Sequence, residues 1–323
     1  MSYVFGPVPS RRLGKSLGID PIPPKTCNWN CVYCQLGRTR PLINRRGEYS
    51  PQEEILAEVK KALILHAPGT IDWVTFVGSG ETVLHSGIGR MIREVKALTE
   101  IPVAVLTNGA LLYLPKVRQE LSAADTVMTS LDAGNADLYH KINRPWPDLT
   151  YQRLLDGLIA FRQEHPCRLW IGTMLINGLN DTDAALRDIA AVLARIQPDR
   201  VHINLPYRPP SEPWVRPPSR KQLLRATEIL GAGAHIENAV DGNFVLSGAE
   251  ADTEAIIDII TRHPMEEGVL KRAIENQKPG LIEDTLEQLA SSGEVQVVER
   301  YGRRFWSSSG CYYPKKQRQG KPR

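Results

Sequence analysis

A chain of 323 residues, 42% hydrophobic and 24% charged, carries enough apolar material for a packed core, which excludes a disordered chain or a scaffold held by disulfides. With 40 Lys and Arg against 36 Asp and Glu, the net charge of +4 names no partner by itself. Apolar runs such as Val103-Ala-Val-Leu106 are far too short to span a bilayer, and the first residues lack a basic region followed by an apolar stretch, so a cytoplasmic location is expected.

Residues 1–50 are rich in Pro, Gly and Arg and read as an irregular leader. From there helices and short apolar strands alternate. Ser50 reads as the N-cap, and Pro51 as the first residue, of a helix over 51–65. A strand over 73–77 ends at Gly78-Ser-Gly80, a helix covers 88–98, and a strand over 103–106 ends at Thr107-Asn-Gly109. Then come a helix over 116–122, a strand over 126–130, a helix over 150–164, and a strand over 168–175 that ends at Asn177-Gly178. A helix over 183–196, a strand over 200–205 and a helix over 221–230 close the series. This alternation predicts an α/β fold with a parallel sheet and right-handed crossovers. About six strands fit an incomplete (βα) TIM-like barrel better than a full eight-fold one. Polar and glycine residues cluster just after the strands, where parallel α/β folds hold their ligands.

A different pattern begins near residue 251. Helices over 253–262, 266–275 and 279–291 precede strands over 294–298 and 303–307, which flank Tyr301-Gly302. Three helices and a hairpin predict a small winged helix-turn-helix unit. Two domains are expected, 1–248 and 249–323, joined around 244–252.

Five cysteines is an odd number, and three of them, Cys27, Cys31 and Cys34, sit within eight residues as C-x3-C-x2-C. That suits a metal or cluster site in a reducing compartment rather than a disulfide framework. A structural zinc site wants four ligands, commonly in two pairs, and there is no second C-x2-C pair. Cys167 and Cys311 are isolated in sequence and read as small buried or neutral residues. Three thiolates on a four-iron cluster leave one iron without a protein ligand, open to bind a small molecule.

This spacing, with Tyr33 just before the last cysteine, resembles the signature of the radical S-adenosylmethionine (SAM) superfamily. The resemblance implies a partial (βα)6 barrel, a [4Fe–4S] cluster on Cys27, Cys31 and Cys34, and reductive cleavage of SAM to a 5′-deoxyadenosyl radical that abstracts hydrogen from a substrate. It implies a one-electron donor such as a flavodoxin- or ferredoxin-like protein. It places Tyr33 near the adenine. Gly78-Ser-Gly80-Glu81 resembles the family's Gly-Gly-Glu-Pro element, in which backbone groups and the acid accept the SAM ammonium, though Ser79 and Thr82 depart from that pattern. Asn108, Ser130 and Asp132 are candidates for the ribose or the SAM carboxylate, with Asn177 and Asn204 weaker ones. Tyr3-Val-Phe-Gly-Pro-Val-Pro-Ser-Arg-Arg-Leu-Gly14, Leu17-Gly-Ile-Asp20, Cys34-Gln-Leu-Gly-Arg-Thr39, Ser130-Leu-Asp-Ala133 and Lys141-Ile-Asn-Arg-Pro145 are similar to a group beside the wyosine-base synthases, which remodel a guanine in transfer RNA.

Basic residues gather at Arg11, Arg12 and Lys15, over 38–46, and from Arg300 onward, where eight basic residues meet no acidic one. The presumed recognition helix carries Glu283, Asp284 and Glu287, which would repel phosphates. Arg300, Arg303 and Arg304, with Tyr301, Phe305 and Trp306, are better placed for RNA or DNA backbone and stacking, and the basic residues over 315–323 would add to them. Three functions stay open at this point: an enzyme modifying an RNA base, an enzyme acting on a peptide, protein or small metabolite, and a cluster-containing DNA-binding redox sensor. Arg11, Arg12, Arg144 and Arg208 lie near motif ends, but charge alone locates no pocket.

Overall fold

The computed structural model describes residues 2–231, 233–236, 253–277 and 279–314. Two strands lie within the leader that reads as irregular. β1 (Val4–Ser10) and β2 (Gly14–Ile19) pair as an antiparallel hairpin. Gly6, Pro7 and Pro9 hide β1 from a pattern reading, and it takes the edge of the sheet, where a missing donor is tolerated. A Cβ on Gly18 would stand 2.2 Å from the Phe5 ring, so the aromatic of β1 can lie across β2 only because position 18 is glycine.

β2 begins a parallel run. After the cysteine loop the chain enters α1 (Gln52–Leu65), whose N-cap is Pro51 in extended conformation, one residue later than Ser50 suggests. The succeeding units are β3 (Trp73–Phe76) with α2 (Ile88–Leu98), then β4 (Val103–Leu106) with α3 (Pro115–Leu121). β5 (Thr126–Ser130) is followed by two helices, α4 (Ala136–Ile142) and α5 (Tyr151–Glu164). β6 (Arg168–Met174) leads to α6 (Asp183–Ile196), β7 (Arg200–Asn204) to α7 (Arg220–Leu230), and β8 (Ala234–Ile236) closes the row. Side-chain caps start several helices: Asn135 for α4, Thr150 for α5, Thr182 for α6, and a Ser219–Gln222 capping box for α7.

The sheet order runs β1 to β8 in sequence, parallel from β2 onward, so the strands curve through consecutive βα units as an incomplete barrel. Leu17, Ile19, Phe76, Val105, Val127 and Ile171 from the strands pack against Ile55, Val59, Met91, Ile92, Leu158, Phe161 and Ile189 from the helices. Each such fully buried side chain contributes roughly 1.5–3 kcal/mol.

Beyond the barrel come α8 (Thr253–Arg262), β9 (Met265–Glu266), α9 (Glu267–Gln277), α10 (Ile282–Ser291), β10 (Val295–Arg300) and β11 (Arg303–Ser308). The three strands form a separate antiparallel sheet in the order β10-β11-β9, around a core of their own that includes Ile256, Ile260, Leu270, Ile274, Leu289 and Trp306. β9 is too short to show as a strand in the sequence, and α9 accordingly begins at Glu267. The expected join near residue 248 and the basic stretch over 315–323 lie outside the described residues.

The hairpin corrects one expectation. Phe305 and Trp306 are 3% and 5% exposed, so they belong to the core rather than to a stacking surface. Trp306 Nε1 donates to Glu267 Oε2 at 3.1 Å, and Arg303 and Arg304 pair with Glu266 and Glu267 at 3.0 and 3.3 Å. Tyr301 lies beneath the Arg216 guanidinium, 5.4 Å from its ring centroid. Among the described residues no helix is long and apolar enough to cross a membrane.

Candidate active site

The cysteine loop leaves β2 and is tied down by backbone bonds on several sides. Asp20, at the end of β2, accepts from Ser79 N at 3.0 and 3.1 Å and from Ser79 Oγ at 2.6 Å, which fixes the turn after β3. Lys25 N donates to Ser79 O and Glu81 N to Thr26 O, both at 2.8 Å. A Cβ on Gly80 would come within 2.0 Å of Thr26 O, so that glycine is required where two backbones cross. On the other side Asn30 N and Val32 N donate to Asn143 O and Ile142 O at the end of α4, and Ser211 Oγ donates to Cys31 O at 2.8 Å. Buried backbone groups of an irregular loop need such partners.

The loop presents Cys27, Cys31 and Cys34 to one cavity of about 260 Å³, shared with Gly78, Ser79, Gly80, Met174, Arg11 and Arg208. Burial, then the neighbouring Glu81 charge, pushes the Cys27 thiol up to about 12, and burial, then the Cys27 and Asp132 charges, raises the Cys31 thiol well above its ordinary value. Burial alone would lower Lys25, but the facing Cys34 and Cys27 outweigh it, and Lys25 Nζ donates to Cys34 Sγ at 3.3 Å and Gly37 O at 2.8 Å. Three soft sulfur donors in one cavity fit an iron–sulfur cluster. Among the described residues no group of three or more His, Cys, Asp or Glu is placed to hold a single metal ion, which is the arrangement a zinc site would demand.

An adjoining cavity of about 360 Å³ shares Cys27, Cys31, Tyr33, Gly78 and Gly80 and adds Glu81, Asn108, Ser130 and Asp132. Tyr33, Gly78, Gly80, Glu81, Asn108, Ser130 and Asp132 therefore all line one or both of two adjoining spaces. Their bonding separates them. Glu81, 2% exposed, accepts from Thr107 Oγ1, from Asn108 N at 2.7 Å and from Val83 N at 3.1 Å. Asn108 spends its amide within the fold, donating to Asn28 Oδ1 at 2.7 Å and accepting from Ala110 N at 2.9 Å. Asp132, also 2% exposed, accepts from Tyr33 OH at 2.5 Å, Asn143 Nδ2 at 2.7 Å and Met174 N at 2.7 Å. Burial raises the pKa of both acids, and these donors oppose it. Asn204 lines the larger cavity, whereas Asn177 is exposed away from it and accepts from Gln222 Nε2.

Sequence reasoning passed over several residues that build the site. Asp20 is salt-bridged to Arg262 of α8 at 3.2 Å, both almost fully buried. Glu212 takes Arg38 through two bonds of 2.8 Å and Arg144 at 2.5 Å, so Arg144 is a brace rather than a ligand-facing charge. Tyr313 OH donates to Gln35 O and Arg38 N to Tyr312 O at 2.9 Å, pressing the chain after β11 onto the cysteine loop. Asn143 sits in Lys141-Ile-Asn-Arg-Pro145, the one signal in sequence that could have found it. Cys311 is buried and Cys167 half-buried, its thiol pushed up to about 12 by burial.

Comparison with known proteins agrees with this geometry. The profile of the Radical SAM superfamily, whose members use a [4Fe–4S] cluster and SAM, matches residues 22–190. A UPF0026 protein of Methanocaldococcus jannaschii is 35% identical over 95% of this chain and 96% of its own length. A protein of Brachyspira hyodysenteriae named GTPase Obg is 36% identical over 91% of this chain, which spans only 43% of that relative. A solved structure of TYW1 with a lysine-pyruvate adduct bound shares the fold at a TM-score of 0.51 and 20% identity, covering 67% of this chain and 72% of that one. Three thiols in one cavity at the strand ends of an incomplete barrel, and a profile match over half the chain, make this protein a member of the radical SAM superfamily.

Proposed function

We propose that the chain reductively cleaves SAM and uses the resulting radical to abstract hydrogen from a small-molecule substrate within the barrel. The observation that carries this reading is the joining of the two cavities: the thiols open directly onto the space lined by Tyr33, Gly78, Gly80, Glu81, Asn108, Ser130 and Asp132. When bound, the cluster and SAM supply an electron and a carbon-centred radical. The chain's own residues orient and enclose. Cys27, Cys31 and Cys34 hold the cluster. The glycine turn after β3 offers backbone groups to the SAM ammonium, with Glu81 fixing that turn to the end of β4. Asp132 holds the Tyr33 ring beside the site through its hydroxyl, and Ser130 stands at the end of β5 for a ribose or carboxylate oxygen. A flavodoxin- or ferredoxin-like protein is the proposed electron source.

A small metabolite is favoured over an RNA base because Phe305 and Trp306 of the β10–β11 hairpin are enclosed and two of its arginines are paired within their own unit. We read that C-terminal unit as a winged helix used for docking onto the cysteine loop. The test is anaerobic reconstitution with iron and sulfide, followed by SAM and a strong reductant, with 5′-deoxyadenosine quantified. Cys31→Ala is expected to abolish both the visible cluster absorbance and 5′-deoxyadenosine, and an active variant would sink the assignment. Bulk transfer RNA that stimulates release many-fold would restore the RNA base as substrate.

A further inference from the structure

Lys25 stands just before the first of the three cysteines, in a conformation its residue type seldom takes. Its φ is +64°, in the left-handed region that disfavours any side chain with a Cβ. Thr26 N donates to Pro23 O at 3.1 Å, closing a four-residue turn with Pro24 second and Lys25 third. Where the third residue of such a turn has positive φ, glycine or asparagine is the ordinary occupant. Lys25 N donates to Ser79 O at 2.8 Å, which fixes this turn against the glycine turn after β3.

The far end of the side chain gives the unusual choice a use. Nζ donates to Cys34 Sγ at 3.3 Å and to Gly37 O at 2.8 Å, and Lys25 lines the cavity of the three cysteines. The ionisable groups that face it are Cys34, Cys27 and Cys311, all sulfur. Among the described residues no carboxylate forms an ion pair with it, so its charge is directed at the cysteines. Three thiolates and the sulfides of a [4Fe–4S] cluster together outweigh the charge of its iron, and a further electron adds to the excess. A fixed ammonium in a partly buried place favours that more negative state. Hydrogen bonds to the sulfurs act in the same direction on the reduction potential.

We propose that Lys25 sets the reduction potential of the cluster, its ammonium holding the sulfur of Cys34 and favouring the reduced state, so that a one-electron donor can charge the cluster. One electron passes from donor to cluster, and no bond is made or broken at Lys25. This rests on the reading above that the three cysteines hold the cluster, though not on SAM cleavage.

The reconstituted protein, without SAM, is poised anaerobically with a graded series of viologens, and reduced cluster is counted by electron paramagnetic resonance. Lys25→Met is expected to lower the ratio of reduced to oxidised cluster about tenfold at a fixed poise, a shift of roughly 59 mV to more negative potential for one electron. Lys25→Arg should recover most of that, and Lys61→Met, exposed on α1, should change nothing. A lysine that merely tethers the loop through Gly37 O would lower cluster content in Lys25→Met and leave the potential of the loaded fraction unmoved, which overturns the proposal. A Lys25→Arg potential as low as that of Lys25→Met overturns it too. Should Lys25→Met fail to load, Lys25→Gln keeps an amide donor for Gly37 O and gives the same reading. Should neither load, wild-type protein isotopically labelled at lysine Nζ decides: a nitrogen coupling to the reduced cluster is expected, and its absence overturns the proposal. Absence of 5′-deoxyadenosine in the separate cleavage assay would refute SAM cleavage and leave the titration standing, whereas a wild-type chain that takes up no cluster would end both.

Discussion

Glu81 shows how a single carboxylate can tie together the backbone turns that line a cavity. It gathers donors from the end of β4 and from the turn after β3, so removing it strands them in a buried place. Each unpaired buried donor costs about 1–3 kcal/mol, so Glu81→Ala should lower stability by at least about 3 kcal/mol in chemical denaturation and weaken SAM binding in step. Full stability with lost SAM binding would instead mark Glu81 as a direct contact to the ammonium. The cysteines were legible because their ligand spacing is local, eight residues long. Glu81 and Asp132 were legible as positions after strands, but not in their partners. Asp20 was legible only as a motif residue and Arg208 only as a charge near a motif end, because what defines them, Arg262 and Gln35, lies 242 and 173 residues away.

At the scale of elements, α8 meets the barrel through one buried charge pair. Asp20 and Arg262 are 4% and 5% exposed. Burial raises the Asp20 pKa, while Arg262 and Ser79 oppose the rise. Arg262→Met leaves Asp20 charged and uncompensated, at a cost of about 3–5 kcal/mol, and Asp20→Asn in the same chain should recover part of it. A double variant no better than the single one would show that packing of Arg262 over Phe5, 4.8 Å from its ring, dominates. Long amphipathic helices such as α2, α6 and α8 were found in the sequence with the same bounds the structure gives, because their apolar stripes repeat over three turns. β1, β2, β8 and β9 were missed because proline, glycine or mere shortness erases a period of two, and only neighbours in the sheet make them strands.

The whole molecule carries a pH dependence at the seam between its two cores. His263 packs edge-on to Phe5 at 5.7 Å, near Gln35, with Arg11, Arg208 and Arg262 facing it, and its pKa lies well below the ordinary 6.5. Above about 6.5 neither folded nor unfolded chain protonates it, so nothing changes there. Below that, the unfolded chain takes up a proton that the folded one refuses, and stability falls by up to about 1.4 kcal/mol per pH unit. His263→Gln should therefore flatten the decline of Tm between about pH 6.5 and 5; equal slopes would place the acid sensitivity elsewhere.

The contact of Tyr313 with Gln35 joins residues 278 positions apart. Protein synthesis adds about 5–20 residues per second, so the cysteine loop is made roughly 14–56 s before the segment that presses on it. For that interval the nascent chain carries the cysteine loop without the contacts that Tyr312 and Tyr313 make to Arg38 and Gln35, so the loop's last fastening forms only once the chain is nearly complete.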